Sequence, residues 1–274
     1  MISVVILTLD ESENLRRCLP SVAWCDDIVV MDSGSRDDTA EVARKAGARV
    51  ITRDFDSFAG QRNHAMESGG LRHRWTLHLD ADEVVTPGLR EEMVEIARED
   101  SSPFEVYRVP SRLMLMGSWL RHAGMYPSYQ VRFGRTDRLR FVDHGHGQRE
   151  VQPLAKVGTL THPLDHYNFS KGFNDWFARH LRYARQEALQ NITSRESTMS
   201  LRALVDRDPL ARRRAIKHFA NRLPARPWLR FLHAYVLRLG FLDGRAGFHY
   251  AVMLGIYQYF IDLNAKELGT VDDR

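Results

Sequence analysis

The stretch WTLHLDADE, residues 75 to 83, is an apolar run ending in three carboxylates, Asp80, Asp82 and Glu83, with one alanine among them. Like charges this close repel, so the cluster calls for a partner that relieves them. Two chemistries suit it: oxygen ligation of a hard divalent cation, or recognition of the hydroxyls and ring nitrogens of a nucleoside. Alternation along an extended chain would put Asp80 and Asp82 on one side, with Ala81 turned away. Mg2+ or Mn2+ held there keeps positions open for phosphate oxygens. The competing reading is that the triplet caps a helix beginning near TPGLREEM, because acids favour a helix start. Other acids follow other apolar runs: Asp10 and Glu11, then Asp32. The run FVDHGHGQRE, residues 141 to 150, adds Asp143, His144, His146 and Glu150. No third nitrogen or sulfur ligand lies near the two histidines. Hydrogen bonding to an acceptor or a phosphate suits them better than metal binding, with plain loop structure as the alternative.

These residues need elements to bring them together. SVVILTL reads as a buried strand, DESENLRRCLPSV as a helix with acids in its first turn, DIVVMD as a second strand and SGS as a turn. RDDTAEVARKAG is a helix stopped by Gly47, ARVITR a third strand, SFAGQRNHAMESG a helix and WTLHLD the fourth strand. Repeated β-α units predict a parallel sheet with right-handed crossovers, and ligands on such sheets bind beyond the carboxyl ends of the strands. That rule brings all three acidic strand ends to one crevice. Residues 103 to 168 read as an extension of the sheet with long loops, including FEVYRVP and YQVRFGR. From about residue 171 the spacing becomes helical, and 199–274 is helical, basic and aromatic. The expected boundaries are 1–102, 103–198 and 199–274.

Composition sets wide bounds. The 274 residues are 43% hydrophobic and 27% charged, as in an ordinary folded protein, with a net charge of +4. Cys18 and Cys25 fit no metal or disulfide pattern and read as reduced packing residues of a cytosolic protein. MISVVILTLDESENL has no basic n-region and no cleavage site, so it does not read as a signal peptide. The apolar stretch 246–261 contains His249 and Gln258 and is shorter than the ~20 residues a membrane span needs.

VVILTLDESENL, IVVMDSGSRDDT, QRNHA and LHLDADE, in that order, resemble the nucleotide-sugar half of family 2 GT-A glycosyltransferases. Three later segments, GSWLRHAGMYPSYQVRFGR, DHYNFSKGFNDWFARHLRYARQEA and residues 230–268, resemble the branch that extends the lipopolysaccharide inner core with a hexose, a β-1,4-glucosyl transfer. The resemblance covers nearly the whole chain, and its order and spacing are more specific than any one motif. It implies an α/β fold of GT-A type: a Rossmann-like, mostly parallel sheet flanked by helices, with a helical C-terminal extension. It implies metal-dependent, inverting transfer of a sugar, a hexose, from a nucleoside-diphosphate donor, UDP-linked, to a hydroxyl of a lipopolysaccharide-core or other envelope glycan. A lipid-carrier-linked exopolysaccharide intermediate is the nearest alternative acceptor.

The resemblance also implies roles. Thr8, Leu9 and Glu11 would cradle the uridine, although the family usually has Asn-Glu where this chain has Asp10–Glu11. Asp32 would accept a hydrogen bond from the uracil, beside Ser33; its alternative is a turn cap before Ser33 and Gly34. Arg62 would lie near the diphosphate, where a cation stabilises the leaving group, unless it is a solvated helix residue. Asp80 would contact the ribose or sugar, and Asp82 would ligate the Mg2+ or Mn2+. Gln148 falls where the branch commonly has a glutamate, and an amide is no proton acceptor. Glu150 is therefore the preferred catalytic base and Asp143 the second. Trp119, His122, Tyr126 and Arg132 match positions facing the acceptor, with plain core as the alternative for each.

Residues 207 to 230 carry eight Arg or Lys against Asp208 as the one acid, and Trp228, Phe231 and Tyr235 lie in or just beyond this stretch. That mixture suits peripheral contact with an anionic membrane, at the inner face of the cytoplasmic membrane for an acceptor held there. A solvated helical face is the alternative. A nucleic-acid partner is not expected, because no recognition motif and no second basic stripe accompany the tail.

Overall fold

The computed structural model describes residues 1–99, 102–144, 147–151, 156–195, 212 and 225–271. The chain forms two compact bodies, Met1–Trp119 with Tyr126–Ser170, and Leu120–Met125 with Lys171–Arg274.

The first body opens with the expected alternation. Strand β1 (Ile2–Thr8) leads to helix α1 (Ser12–Val22), β2 (Ile28–Asp32), α2 (Thr39–Lys45), β3 (Arg49–Thr52), α3 (Phe58–Ser68) and β4 (Trp75–Asp80). Their ladders are parallel, in the order β3-β2-β1-β4. β1 and β2 are buried along nearly their whole length, so they read as unbroken apolar runs rather than as alternation. One face packs Ile2, Val4 and Ile6 on Leu15, Cys18, Leu19 and Val22 of α1, which recur at helical spacing. The other face packs Val5, Val29 and Met31 against Ala65 of α3.

The middle of the chain extends this sheet. β5 (Glu83–Val85) and helix α4 (Pro87–Glu99) precede β6 (Val106–Leu115), β7 (Ser118–Trp119), β8 (Ser128–Arg135), β9 (Phe141–His144), β10 (Gly147–Glu150), β11 (Val157–Thr159) and β12 (Leu164–His166). The order continues β4-β8-β6-β12-β5, with β11 and β7 on β6, while β9 and β10 form a separate hairpin. β8 is antiparallel to both β4 and β6. β5 follows β4 by two residues yet pairs with β12, which sets it four strand positions from β4 in the sheet. Laid flat, four strand spacings would cover about 19 Å, whereas the link from Asp80 to Glu83 reaches about 11 Å at most. The sheet therefore curls, and the acids sit on the inside of the curl.

This geometry corrects the expected side-by-side Asp80 and Asp82. Ala81 and Asp82 form a turn instead of continuing the strand, so alternation does not apply. Nor does the triplet cap α4: that helix begins at Pro87, and Thr86 Oγ1 accepts the Leu89 N–H.

In the second body, helix α5 (Gly172–Arg195) packs Ala184 and Ala188 on Ile261 of helix α7 (Gly244–Val271). Helix α6 (Arg226–Leu232), a π-helical turn (His233–Leu237) and a short 3-10 turn (Gly240–Asp243) lead into α7. Ala234 of the π turn packs on Ala251 and Leu254 of α7. Most of the basic stretch 207–230 lies outside the described residues.

Candidate active site

The carboxyl ends of β1 and β2 meet at Asp32. Thr8 Oγ1 donates to Asp32 Oδ1 at 3.0 Å, the Gly34 and Ser35 N–H groups donate to Oδ2 at 3.2 and 3.0 Å, and Ser35 Oγ donates to Oδ1. A carboxylate has about four lone-pair sites, and all four are used here. The turn cap is thus the role this geometry displays, and a uracil contact would have to displace one of these donors. Gly34 makes the turn possible with φ +88°. Ser33 N–H donates to Thr8 O at 2.9 Å, which ties the two strand ends together.

Asp10 adopts φ +53°, an uncommon conformation for a residue with a side chain. It is held by its N–H to Ser35 Oγ (2.8 Å) and by Arg36 N–H to its Oδ1 (2.7 Å). Glu11 N–H donates to Thr39 Oγ1 at 2.8 Å. Thr8, exposed Leu9, Glu11, Asp32 and Ser33 therefore form one continuous lip, built from residues 25 or so apart in sequence.

At the end of β4, Asp80 is held from two sides. Arg62 Nη2 of α3 donates to Oδ1 at 2.5 Å, and Arg132 Nη2 of β8 donates to Oδ2. Arg132 also reaches Glu83 Oε1 at 3.1 Å, while Glu83 Oε2 accepts the Asp80 N–H at 2.8 Å. Burial alone would raise the Asp80 pKa, but Arg132 and Arg62 hold it well below the usual carboxylate range. Burial, reinforced by the Asp80 charge, pushes Glu83 up despite Arg132. Burial and the neighbouring Arg132 lower Arg62 to about 10, still charged at neutral pH.

Arg62 is fully buried, which removes the solvated-helix alternative. Arg132 departs from its expected acceptor-facing position. The β6–β8 register jumps from Tyr107↔Phe133 to Arg108↔Val131, leaving Arg132 as the extra residue of a β-bulge. A bulge re-aims its side chain, and here it turns Arg132 into the carboxylate cluster. Nε and Nη1 of both arginines are buried without a partner among the described residues. Unmet buried donors of this kind are costly unless an acceptor arrives. They suit an anion beside Asp80.

Asp82 stands apart. Its side chain is 20% exposed, against 36% for Asp80, and Oδ2 faces His166 Nε2 at 3.3 Å. Burial works against charge on His166, yet Asp82, with Glu83 and Asp80 behind it, pushes its pKa up to about 9. Glu83 pairs with His166 across the β5–β12 ladder, and Tyr167 N–H donates to Asp82 O at 2.8 Å. His166 was not singled out from the sequence; the Asp-His-Tyr run at 165–167 was its only trace. Among the described residues, no three His, Cys, Asp or Glu side chains form a metal-ligand set. A divalent cation bound mainly through substrate phosphates needs only one or two protein carboxylates. Asp82 fits that demand; Asp80, with both oxygens on arginines, does not.

The hairpin β9–β10 is fastened to α3 by Asn63, whose Nδ2 donates to Phe141 O at 2.8 Å and whose Oδ1 accepts the Phe141 N–H at 2.9 Å. The Phe141 ring lies 5.7 Å from the Arg62 guanidinium carbon and 5.0 Å from the His78 ring. Burial, together with Arg62 and Arg132, keeps His78 neutral. Asp143 pairs with Gln148, and Glu150 with Phe141, so all four project from the same face of the hairpin. Glu150, Gln148 and Phe141 line a cleft of about 210 Å³ against β6 and β8; Asp143 is exposed and outside that lining. The backbone of His144 ends β9, while its side chain and the whole of His146 lie outside the described residues.

Trp119 and Tyr126 meet edge to face, 4.9 Å between centroids. Arg112 lies over the Trp119 ring and is tied to Asp165 at 2.6 Å. His122 belongs to the second body, where its N–H donates to the Asp243 carboxylate at 3.0 Å.

Comparison with known proteins bears on this arrangement. An uncharacterized glycosyltransferase of Rickettsia conorii is 34% identical over 177 residues, 61% of this chain and 62% of that protein. The lipopolysaccharide core biosynthesis glycosyltransferase LpsC of Rhizobium meliloti is 31% identical over 164 residues, 58% of this chain and 57% of that protein. The match thus spans about three fifths of these relatives' length. The solved structure of mannosyltransferase PcManGT from Pyrobaculum calidifontis, in complex with GDP-Man and Mn2+, superposes with a TM-score of 0.51. That superposition covers 96% of this chain and 86% of that one at 14% identity, a likeness of fold that agrees with the expected GT-A architecture. The model described as glycosyl transferase family 2 matches residues 3–150, which span both strand-end clusters and the hairpin, and the chain belongs to that family.

Proposed function

We propose that this protein transfers a sugar, a hexose, from a nucleoside-diphosphate donor, UDP-linked, to a hydroxyl of a lipopolysaccharide-core or other cell-envelope glycan, with inversion. The observation that carries this reading is that the Asp32-capped turn and the Arg62–Asp80–Arg132 cluster lie at the carboxyl ends of β2 and β4, the parallel strands on either side of β1, within the stretch that matches family 2. The similarity to LpsC supports an envelope acceptor.

In this mechanism the lip of Thr8, Leu9, Glu11 and Ser33, shaped by Asp32, receives the nucleoside. Arg62 turns its unmet N–H groups toward the diphosphate and steadies the charge that grows on it as the sugar leaves. Asp80 keeps Arg62 and Arg132 in place in preference to touching the ribose. Asp82 would hold a divalent cation, which as a Lewis acid makes the nucleoside diphosphate a better leaving group. Inversion by single displacement needs a base opposite the leaving group. Glu150 takes the acceptor hydroxyl proton as that oxygen attacks the anomeric carbon and the bond to the diphosphate breaks; Asp143 is second. Trp119 and Tyr126 offer ring faces to the acceptor sugar, with His144 and His146 as further acceptor contacts.

No helix of the described residues is long and apolar enough to cross a membrane. Peripheral contact with an anionic surface, at the inner face of the cytoplasmic membrane, is supported by Trp228 (71% exposed) and Leu237 (75% exposed), which share one short segment with Arg230 and Arg238.

The test is a donor-hydrolysis screen of UDP-, GDP- and ADP-sugars with and without Mn2+ or Mg2+. Cation-stimulated consumption of a UDP-sugar is the expected result. Consumption of no nucleotide sugar overturns the proposal.

A further inference from the structure

The cleft between the β9–β10 hairpin and the sheet holds charges for which the donor reaction has no use. Arg108 of β6 and Arg149 of β10 both line it and are both exposed, and neither has a carboxylate partner among the described residues. The lining sets these two cations against a single carboxylate, Glu150. Tyr129 lines it and is 46% exposed, and the Gln148 Oε1 is buried without a partner among the described residues. A volume of about 210 Å³ has room for roughly seven waters at about 30 Å³ each, the scale of one sugar residue.

The cleft is also placed for the chemistry. Leu77 pairs with Phe133, so the antiparallel ladder carries Tyr129 and Gln130 to the level of Asp80 on the adjacent strand. Phe141 forms part of the wall between the cleft and Arg62. A sugar in the cleft would have the leaving-group side on one flank and Glu150 within its own lining.

A neutral sugar would leave both guanidiniums to water. Arginine forks match the oxygens of a carboxylate or a phosphate, in charge-assisted hydrogen bonds about twice as strong as neutral ones. We propose that this cleft is the acceptor subsite and that it selects a sugar bearing an oxyanion, a carboxylate or a phosphate, gripped by Arg108 and Arg149 while Tyr129 packs on the ring. The proposal rests on the transferase reading above and adds the class of acceptor.

The test is calorimetric titration of the full chain. UDP is titrated first; glucuronic acid, glucose 6-phosphate, glucose and inorganic phosphate are then titrated in turn with UDP saturating. At least one acidic sugar is expected to bind about tenfold or more tighter than glucose, the scale of one charge-assisted hydrogen bond. Glucuronic acid and glucose 6-phosphate separate the carboxylate from the phosphate. In Arg108→Gln/Arg149→Gln that preference is expected to vanish while UDP binds as before, and the single Arg108→Gln serves if the double variant does not fold. Equal binding of glucose overturns the proposal. So does inorganic phosphate binding as tightly as glucose 6-phosphate, or a preference that survives in the variants. Absence of UDP binding with the acid preference intact breaks the transferase reading instead, because the two sites are read separately.

Discussion

Asp80 and Asp82 stand two positions apart, and substituting each is expected to do different things. Asp82→Asn should reduce cation-dependent turnover by at least about a hundredfold, a loss of a few kcal/mol of transition-state stabilisation. Loss of the pairing to His166 should also lower its melting temperature at neutral pH, with the cooperative fold retained, and a Mn2+ titration of activity together with a thermal melt checks both. Asp80→Asn should instead destabilise the fold by on the order of 3 kcal/mol, because it strands buried Arg62 without a counter-charge and leaves Arg132 with Glu83 alone. Urea denaturation measures that. Glu150→Gln should lower transfer by orders of magnitude with UDP binding preserved. If Asp143→Asn does this and Glu150→Gln does not, the base is Asp143.

His166 adds a pH dependence. Its folded pKa, near 9, lies above the unfolded 6.5, so its contribution is fully present below about pH 6.5 and is lost as pH rises through 9. Thermal melts should therefore fall more steeply between pH 7 and 9.5 for the parent than for His166→Gln. The acids were legible in the sequence because strand-end carboxylates stand out against an apolar run. The carboxylate contacts of Arg132 and His166 were not. Their partners are 52 and 84 positions away, and no local pattern announces a contact set by strand pairing.

Among the elements, the alternating strands and helices of the first hundred residues could be read directly, because period-2 and period-3.6 patterns survive in a single sequence. The placement of β5 could not. Three residues of EVV say nothing about whether they continue β4 or cross to β12, and that choice determines where Asp82 points. The bulge at Arg132 is equally silent, since VRFGR alternates as any strand would. The hairpin hangs on α3 through the paired hydrogen bonds of Asn63. Asn63→Ala should cost about 1–2 kcal/mol for the two bonds lost. Its kinetic signature should be a raised acceptor KM with donor affinity kept, measured by varying each substrate separately.

For the whole molecule, the second body presents Trp228, Leu237 and Leu242 largely to solvent in a segment that also bears Arg238 and Arg245. Flotation with vesicles containing phosphatidylserine should recover the protein at low salt, release most of it at high salt, and recover much less of Trp228→Ala. Neutral vesicles that recover it equally well would leave the basic residues without this role. The basic-aromatic composition was legible along the chain; how far each side chain is exposed was not, because burial depends on which helices meet.

The curl of the sheet has a mechanical corollary. The two residues between β4 and β5 act as a short tether across its mouth, holding an edge strand within one chain turn of a strand in the middle of the same sheet. Inserting Gly-Gly between Ala81 and Asp82 would leave every side chain in place chemically while letting that mouth gape. Catalysis should then disappear from a protein whose circular dichroism and cooperative unfolding still look native.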